Sequence, residues 1–217
     1  MNEFQTIYKK ESLIVEINSI KELSSITLIN FVKLNGACIK KFSINQKIEK
    51  KHVVVIGGGA SSERKISYMS SNGIVCSIIE LGYHLTFVDM GTDIALVLNK
   101  LKPDIVYNAL HGMYGEDGFL PGLLNIMHIP YTGSGVLASS IAFNKKISYK
   151  ILKSHGIKIA ENKIIKRTDC CVIDPFRRPY VIKPISQGSS IGVEIIFTED
   201  KFSFDKYNFP YGDEVLV

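Results

Sequence analysis

Four places in the chain carry residue types that can do chemistry: Glu63 behind a triple glycine, His111 in a glycine-dense loop, Lys145, and Lys183 with the Gln187-Gly188-Ser189-Ser190 that follows it. The last is the most informative. In PYVIKPISQGSSIGVEII (179 to 196), two runs rich in Val and Ile flank a short polar loop, a pattern that predicts two strands joined by a hairpin. Gly188 and Gly192 let the backbone turn where a side chain would clash, successive N–H groups can then converge on an anion, and Ser189 and Ser190 add donors. Lys183, at the mouth, supplies a full charge against a nucleotide phosphate. An ordinary hairpin turn can have the same composition, so the hairpin by itself leaves both readings open.

Glu63 and Arg64 fall in the first helical turn after GGGASS, at the carboxyl edge of a sheet, where open α/β folds place ligands. A charge complementing the helix dipole is the structural alternative for Glu63. His111 follows the run DIVYNAL, and Gly112, Gly115, Gly118 and Gly122 fall within the next eleven residues. So many glycines cost folding entropy and pack poorly, which suits a binding loop. Lys145 stands before the hairpin and, with Lys183, suggests a clamp closing on a nucleotide from two sides. Lys146, Lys150 and Lys153 read as solvated surface charges.

Elements must position these groups. The order is a buried strand (Val53 to Ile56), a glycine turn, and a helix entered through Ser61 or Ser62. Its apolar positions would be Ile66, Met69, Ile74, Ile78 and Leu81, with Gly82 ending it. Strand HLTFVDM, helix DIALVLNKLK and strand DIVYNAL follow, the alternation of a parallel sheet with crossover helices. Glu116 and Asp117 then lead a helix with the apolar face Leu120, Leu123, Leu124 and Met127. Around residue 144 the alternation gives way to short strands: KIIKR, PYVIKPI, GVEIIF and EVLV. The predicted domains are therefore 1–50, an unassigned extension; 51–143, an α/β substrate-binding domain; and 144–217, an α+β domain. GGGASSE lacks the GxGxxG spacing of a dinucleotide turn, no acidic residue about 20 positions on stands clearly at a strand end, and GxxxxGK[ST] is absent.

Composition excludes other classes. The 217 residues are 46% hydrophobic and 22% charged, which is globular. No apolar run approaches the ~18 residues of a membrane span, and a cytoplasmic protein is expected. The formal charge of +5 resides mostly in residues 1 to 51, which hold nine Lys against five Glu. Those lysines have no aromatic interleaving, so no nucleic-acid partner is expected. Cys38, Cys76, Cys170 and Cys171 show no metal-ligand spacing and read as reduced thiols. Within the first 50 residues, SLIVEI and SSITLINFVKL are candidates for a strand and a short amphipathic element.

ALHGMYGEDGFLPGLLNIMHIPYTGSGVLASSIAFNKKISYKIL, with GGGASSERKIS upstream and YVIKPISQGSSIGVE downstream, closely resembles the D-alanine:D-alanine ligase family of the ATP-grasp superfamily. The three motifs occur in the family's order and cover about residues 52 to 217. Two positions depart from the family's pattern: Pro121 stands where Gln is usual, and Phe143-Asn144 where Met-Asp is usual.

The resemblance implies an α/β fold, with a parallel-sheet pre-ATP-grasp domain followed by an α+β ATP-grasp lid domain. It implies ATP-dependent joining of two D-alanines for peptidoglycan, in the cytoplasm, by a homodimer. The first carboxylate would take the γ-phosphoryl group, and the second amine would displace phosphate from the acyl phosphate. Matched motif to motif, Glu63 would sit by the ammonium of the first D-alanine and Ser189 would link to it, these two being the catalytic assignments. His111 would lie by the first carboxylate. Lys145 and Lys183 would hold ATP phosphates, with Gly188, Ser189 and Ser190 as the lid. Mg²⁺ or Mn²⁺ is expected for the full-length family. Its ligands, like the adenine hinge, would lie past Val217 with the C-terminal catalytic subdomain, so this piece is expected to be inactive by itself. A non-catalytic remnant and another ATP-grasp carboxylate-amine ligase are the alternatives.

Overall fold

In the computed structural model, residues 13–17, 51–169 and 173–217 are described. The chain divides into two compact units between Val136 and Leu137.

In the first unit, the β-branched run after Lys51 forms β2 (His52–Gly57), buried from Val53 onward. It runs parallel to β3 (His84–Asp89) on one side and to β4 (Ile105–Asn108) on the other. β1 (Leu13–Ile17) adds an antiparallel edge to β3, giving the order β1-β3-β2-β4. The LIVEI of SLIVEI is thus a strand, while SSITLINFVKL, Cys38, Cys170 and Cys171 lie outside the described residues.

Strand period two splits the core. Val53 and Val55 face helix α1 (Arg64–Glu80), packing with Tyr68, Val75, Ile78 and Phe87. Val54 and Ile56 face helices α2 (Ile94–Leu101) and α3 (Phe119–Ile126), packing with Val97, Leu98, Leu120 and Leu124. The face expected for α3 is the one it buries.

Helix α1 differs from expectation on two points. It starts at Arg64 with Glu63 at the N-cap, not at Ser61 or Ser62. Its buried face is Ser67, Tyr68, Ser71, Val75 and Ile78, whereas Ile66, Met69 and Leu81 are exposed. The reason is a close approach: a Cβ on Gly57 would lie 2.1 Å from Ser71 Oγ, so only small side chains fit between helix and strand. The serines satisfy themselves there. Ser71 Oγ donates to Ser67 O at 2.7 Å, and Ser67 Oγ donates to Ala109 O at 2.7 Å while accepting from Gly58 N at 2.8 Å. Gly82 ends the helix at φ +73°, as its position predicts.

The second unit contains helices α4 (Val136–Phe143, its first residue in the first unit) and α5 (Lys145–Ser154). Its antiparallel sheet is ordered β5-β8-β6-β7, from β5 (Ile164–Lys166), β6 (Tyr180–Pro184), β7 (Glu194–Ile196) and β8 (Glu214–Leu216). Tyr180, Ile182, Ile196, Phe204, Phe209 and Val215 form its core. The units divide inside the helical stretch, ahead of the change of pattern at 144. Helix α4 is tied to α5, since Ser148 Oγ donates to Ile141 O at 2.6 Å and to Asn144 O at 3.0 Å.

Candidate functional site

At the carboxyl edge of the first unit's sheet, two loops meet: the one after β2 and the one after β4. Ser61 Oγ donates to His111 O at 2.7 Å and accepts from Glu63 N at 3.2 Å, so one hydroxyl joins them. Glu63 is 3% exposed, and its carboxylate lies against Gly112, where a Cβ would come within 2.4 Å of Oε2. Gly112 has φ +69°, so this glycine is required both by backbone conformation and by the approach of the carboxylate.

His111 Nε2 lies 2.9 Å from Ser70 Oγ, and Nδ1 lies 3.5 Å from Glu116 Oε1. Glu116 Oε2 accepts from Gly112 N at 3.1 Å, and Asp117 accepts from Tyr114 N at 2.7 Å and Phe119 N at 3.1 Å. The two acids therefore brace the glycine loop. Glu63 and His111, singled out separately in the sequence, stand in loops that meet: the buried Glu63 carboxylate lies against Gly112, and Ser61 joins its loop to the backbone carbonyl of His111, whose imidazole faces Ser70 and Glu116. Such an arrangement can receive a small zwitterion, the carboxylate taking an ammonium.

Asp89, which sequence reasoning did not place, ends β3 opposite Gly57 and is fully buried. Its Oδ1 accepts from Arg64 Nη1 at 2.8 Å and from Gly59 N at 3.2 Å. Its Oδ2 accepts from Arg64 Nη2 at 2.6 Å and from the Tyr68 hydroxyl at 2.9 Å. There is thus an acidic residue at the end of the second parallel strand, but Arg64 occupies it, so it is not presented to a ribose as in a dinucleotide fold. Burial, with the Asp89 charge next, raises the pKa of Tyr68. Burial opposes the charge on Arg64, yet the hydrogen bonds and charge of Asp89 raise its pKa above the usual value. The signal available in the sequence was Asp-Met-Gly directly after an apolar strand.

A separate cavity of about 250 Å³ in this unit is lined by Ala60, Met90, Gly91, Tyr114, Phe119 and neighbouring residues. No charged side chain lines it.

In the second unit, β6 and β7 form the expected hairpin, with Tyr180 opposite Ile196 and Ile182 opposite Glu194. The turn is built differently from the prediction. Ser189 (φ +47°), Ser190 (φ +61°) and Gly192 (φ +67°) take the left-handed positions, and Gly188 does not. Ile191 N donates to Gly188 O at 2.9 Å, closing a turn in which both central residues have positive φ, as in type I′. Left-handed backbone costs an L-residue roughly 1–2 kcal/mol, and such strain gathers at ligand-clamping loops. Gly192 is obligatory because a Cβ there would meet the Tyr211 ring and Pro184 Cγ at 2.7 Å.

Lys183 stands on the face of β6 opposite the buried Tyr180, Ile182 and Pro184. Lys145 opens α5, whose cap is Asn144, with its side chain accepting from Ile147 N. Asn thus performs the capping that an Asp would at this departure from the family pattern. Lys145 N donates to Ile185 O at 3.0 Å, and its Nζ donates to Gln187 O at 2.5 Å. Lys145 and Lys183 therefore flank the same arm of the hairpin. Lys146 is not merely solvated, since its Nζ donates to both oxygens of Glu214, at 2.8 and 2.6 Å.

Among the described residues no group of three or more His, Cys, Asp or Glu side chains could hold a metal ion. Nor, among them, is any helix long and apolar enough to cross a membrane.

The parallel sheet with its crossover helices, followed by a unit with an antiparallel sheet, defines an α/β protein. A family described as D-ala D-ala ligase N-terminus matches residues 91–134. The D-alanine–D-alanine ligase of Rickettsia bellii (strain OSU 85-389) is 58% identical over 168 residues, 77% of this chain and 52% of the relative. That of Rickettsia peacockii (strain Rustic) is 57% identical with the same coverage. Among solved structures, the D-alanine–D-alanine ligase of Bacillus anthracis complexed with ATP is similar, with a TM-score of 0.65 and 32% identity. That match covers 76% of this chain and 57% of the other. The chain is thus similar over most of its length to D-alanine–D-alanine ligases, and it spans about half the length of the curated relatives it matches.

Proposed function

We propose that the protein serves the ATP-dependent joining of two D-alanines, with the first D-alanine held in the first unit and ATP in the second. The observation that carries this reading is the meeting of Glu63 with the His111–Gly112 loop, in a chain whose relatives are named for that substrate. Glu63 receives the ammonium of the first D-alanine, and His111 lies toward its carboxylate. Lys145 and Lys183 compensate ATP phosphates, and the strained Ser189-Ser190 turn, with Gly188, covers them.

In the reaction, a carboxylate oxygen of the first D-alanine attacks the γ-phosphorus and ADP leaves, giving an acyl phosphate. The amine of the second D-alanine then attacks the acyl carbon, phosphate leaves, and the amine loses a proton as the peptide bond forms. A bare carboxylate has no usable leaving group, which is why ATP is consumed. The protein's share is positioning and charge compensation. In the full-length family Mg²⁺ would supply further charge neutralisation at the phosphates. A cytoplasmic homodimer supplying a cell-wall precursor is part of the same proposal.

The test is phosphate release with ATP and D-alanine, compared with L-alanine, by the chain fused to the part of the Rickettsia bellii relative that it does not span. Release that requires D-alanine supports the reading. Equal release with L-alanine points to a ligase of different acceptor, and no release together with no D-alanine binding overturns it.

A further inference from the structure

The first unit's sheet has two edges, and the protein closes them differently. Past β4 the chain returns on itself: Val106 N donates to Pro130 O at 2.8 Å and Thr132 N donates to Val106 O at 3.1 Å, a parallel bridge that sets Val106 opposite Tyr131. Past β3 the closing strand is β1, which comes from outside the stretch that carries the ligase resemblance. It pairs antiparallel from Leu13 opposite Asp89 to Ile17 opposite Leu85, so five of the six β3 residues have a partner on this side. β3 is a strand that needs such a cover. Leu85 to Asp89 are fully buried; Leu85 and Phe87 pack toward α1, and Val88 packs toward α2 and α3. Both faces being closed, the outer row of N–H and C=O groups is the part of β3 that another chain could reach, and an uncovered row of this kind templates pairing. LIVEI is short and carries Glu16, two features by which edge strands stop further pairing.

Residues 18–51 join β1 to β2, a connection that can extend to roughly 110 Å, whereas β1 and β2 lie only two strand spacings apart, roughly 10 Å. The connection therefore does not by itself place β1; its pairing with β3 does. Within the described sheet β1 is hydrogen-bonded to β3 alone. We propose that residues 13–17 are a displaceable guard on the outer edge of β3, and that this edge, once uncovered, pairs with the same edge of a second copy of this chain. Recognition is by main-chain hydrogen bonds, the mode in which an extended segment adds a strand to an open sheet. An antiparallel pairing of two identical edges is self-complementary about a two-fold axis, so it closes as a dimer. A guard on the same chain acts at an effective concentration that a second copy at ordinary concentration does not reach, which keeps the edge closed. The inference goes beyond the D-alanine reading and does not depend on it.

The experiment compares the 217-residue wild type with Val15→Pro/Glu16→Pro in the same full chain. Successive N–H groups of an edge strand point alternately toward and away from its partner, so one of two consecutive prolines removes a ladder donor whichever the phase. Amide hydrogen exchange is read residue by residue over Leu85–Asp89, and mass is followed by light scattering across a concentration series. In the variant, the β3 amides that face β1 should exchange at least tenfold faster, those that face β2 should not change, and the mass should rise with concentration above that of the wild type. A peptide of residues 11–19, added in excess, should restore both the protection and the wild-type mass; the same peptide with the two prolines should restore neither. Unchanged exchange over Leu85–Asp89 overturns the proposal. So does exposure of those amides without self-association, because the edge would then need no guard, and so does a peptide that restores no protection. If the variant does not fold, the wild type decides: a displaceable strand predicts that the β3 amides facing β1 exchange at least tenfold faster than those facing β2, and equal protection on the two sides overturns it.

Discussion

Replacing Gly112 by alanine perturbs the candidate site at a single atom. The new Cβ has two consequences. At φ +69° an L-residue is strained by roughly 1–2 kcal/mol, which for a domain of this size lowers the melting temperature by roughly 2–8 °C. The Cβ also stands 2.4 Å from Glu63 Oε2 and 3.3 Å from Glu63 Cδ, so the carboxylate must retreat by roughly 1 Å to restore ordinary contact. A misplacement of about that size can cost on the order of a hundredfold in a positioned reaction, and D-alanine affinity is expected to fall by at least tenfold. Gly156→Ala is the matched control, since Gly156 has φ +72° but nothing within 4 Å of an added Cβ. It should lower thermal stability and leave D-alanine affinity unchanged. Thermal melting and calorimetric titration, run on both variants, give the two numbers independently. A Gly112→Ala protein that keeps wild-type D-alanine affinity would show that the Glu63–Gly112 contact does not define the ligand site.

Other perturbations test neighbouring parts of the structure. Gly57→Ala places a Cβ 2.1 Å from Ser71 Oγ and 2.9 Å from Phe87 Cε2, so it should cost about 1–3 kcal/mol in denaturant unfolding; Ser71→Ala in the same chain should recover part of that, and no recovery would mean that the helix–strand approach is set elsewhere. Gly192→Ala should lower both stability and ATP affinity, because the hairpin must shift to clear Pro184 and Tyr211; unchanged ATP affinity would separate the turn from nucleotide binding. Burial, then the charge of His84, lowers the pKa of His52 below 6.5, so the fold favours the neutral ring. The stabilisation is complete above about pH 6.5 and is lost as pH falls through the folded-state value; His52→Gln should flatten this part of the denaturant midpoint against pH, and an unaltered profile would contradict it. Lys146→Ala breaks a pair in which both partners are about one-third exposed, so a loss of no more than about 1 kcal/mol is expected, and a larger loss would mark the pair as structural.

The parts of this structure legible in the sequence are those encoded by strong local chemistry. Val53 to Ile56 reads as a buried parallel strand because continuous β-branched residues suit burial on both faces, and Gly82 reads as a helix end because it takes the left-handed position. The proximity of Glu63 and His111 followed from strand order alone, both standing past the carboxyl ends of adjacent strands. What stayed hidden depends on tertiary approach. Ser67 and Ser71 face the sheet because Gly57 brings β2 close, and no count of apolar residues can identify a buried serine stripe. Ser189 and Ser190, not Gly188, take the left-handed turn, against the usual preference for glycine. Asp89 and Arg64 are far apart in sequence and meet only after β3 pairs with β2, and Lys146 finds Glu214 only once the second unit is assembled. The antiparallel pairing of β1 could not be read from a segment punctuated irregularly by polar residues.

The most direct measurement is D-alanine binding to the wild type and to Glu63→Gln, with ATP binding followed in parallel in Lys183→Ala. Saturable D-alanine binding that weakens at least tenfold in Glu63→Gln, and persists in Lys183→Ala while ATP binding falls, is the predicted result. Undiminished D-alanine binding by Glu63→Gln, or loss of ATP binding alone in both variants, would contradict the placement of the amino substrate at the edge of the first sheet.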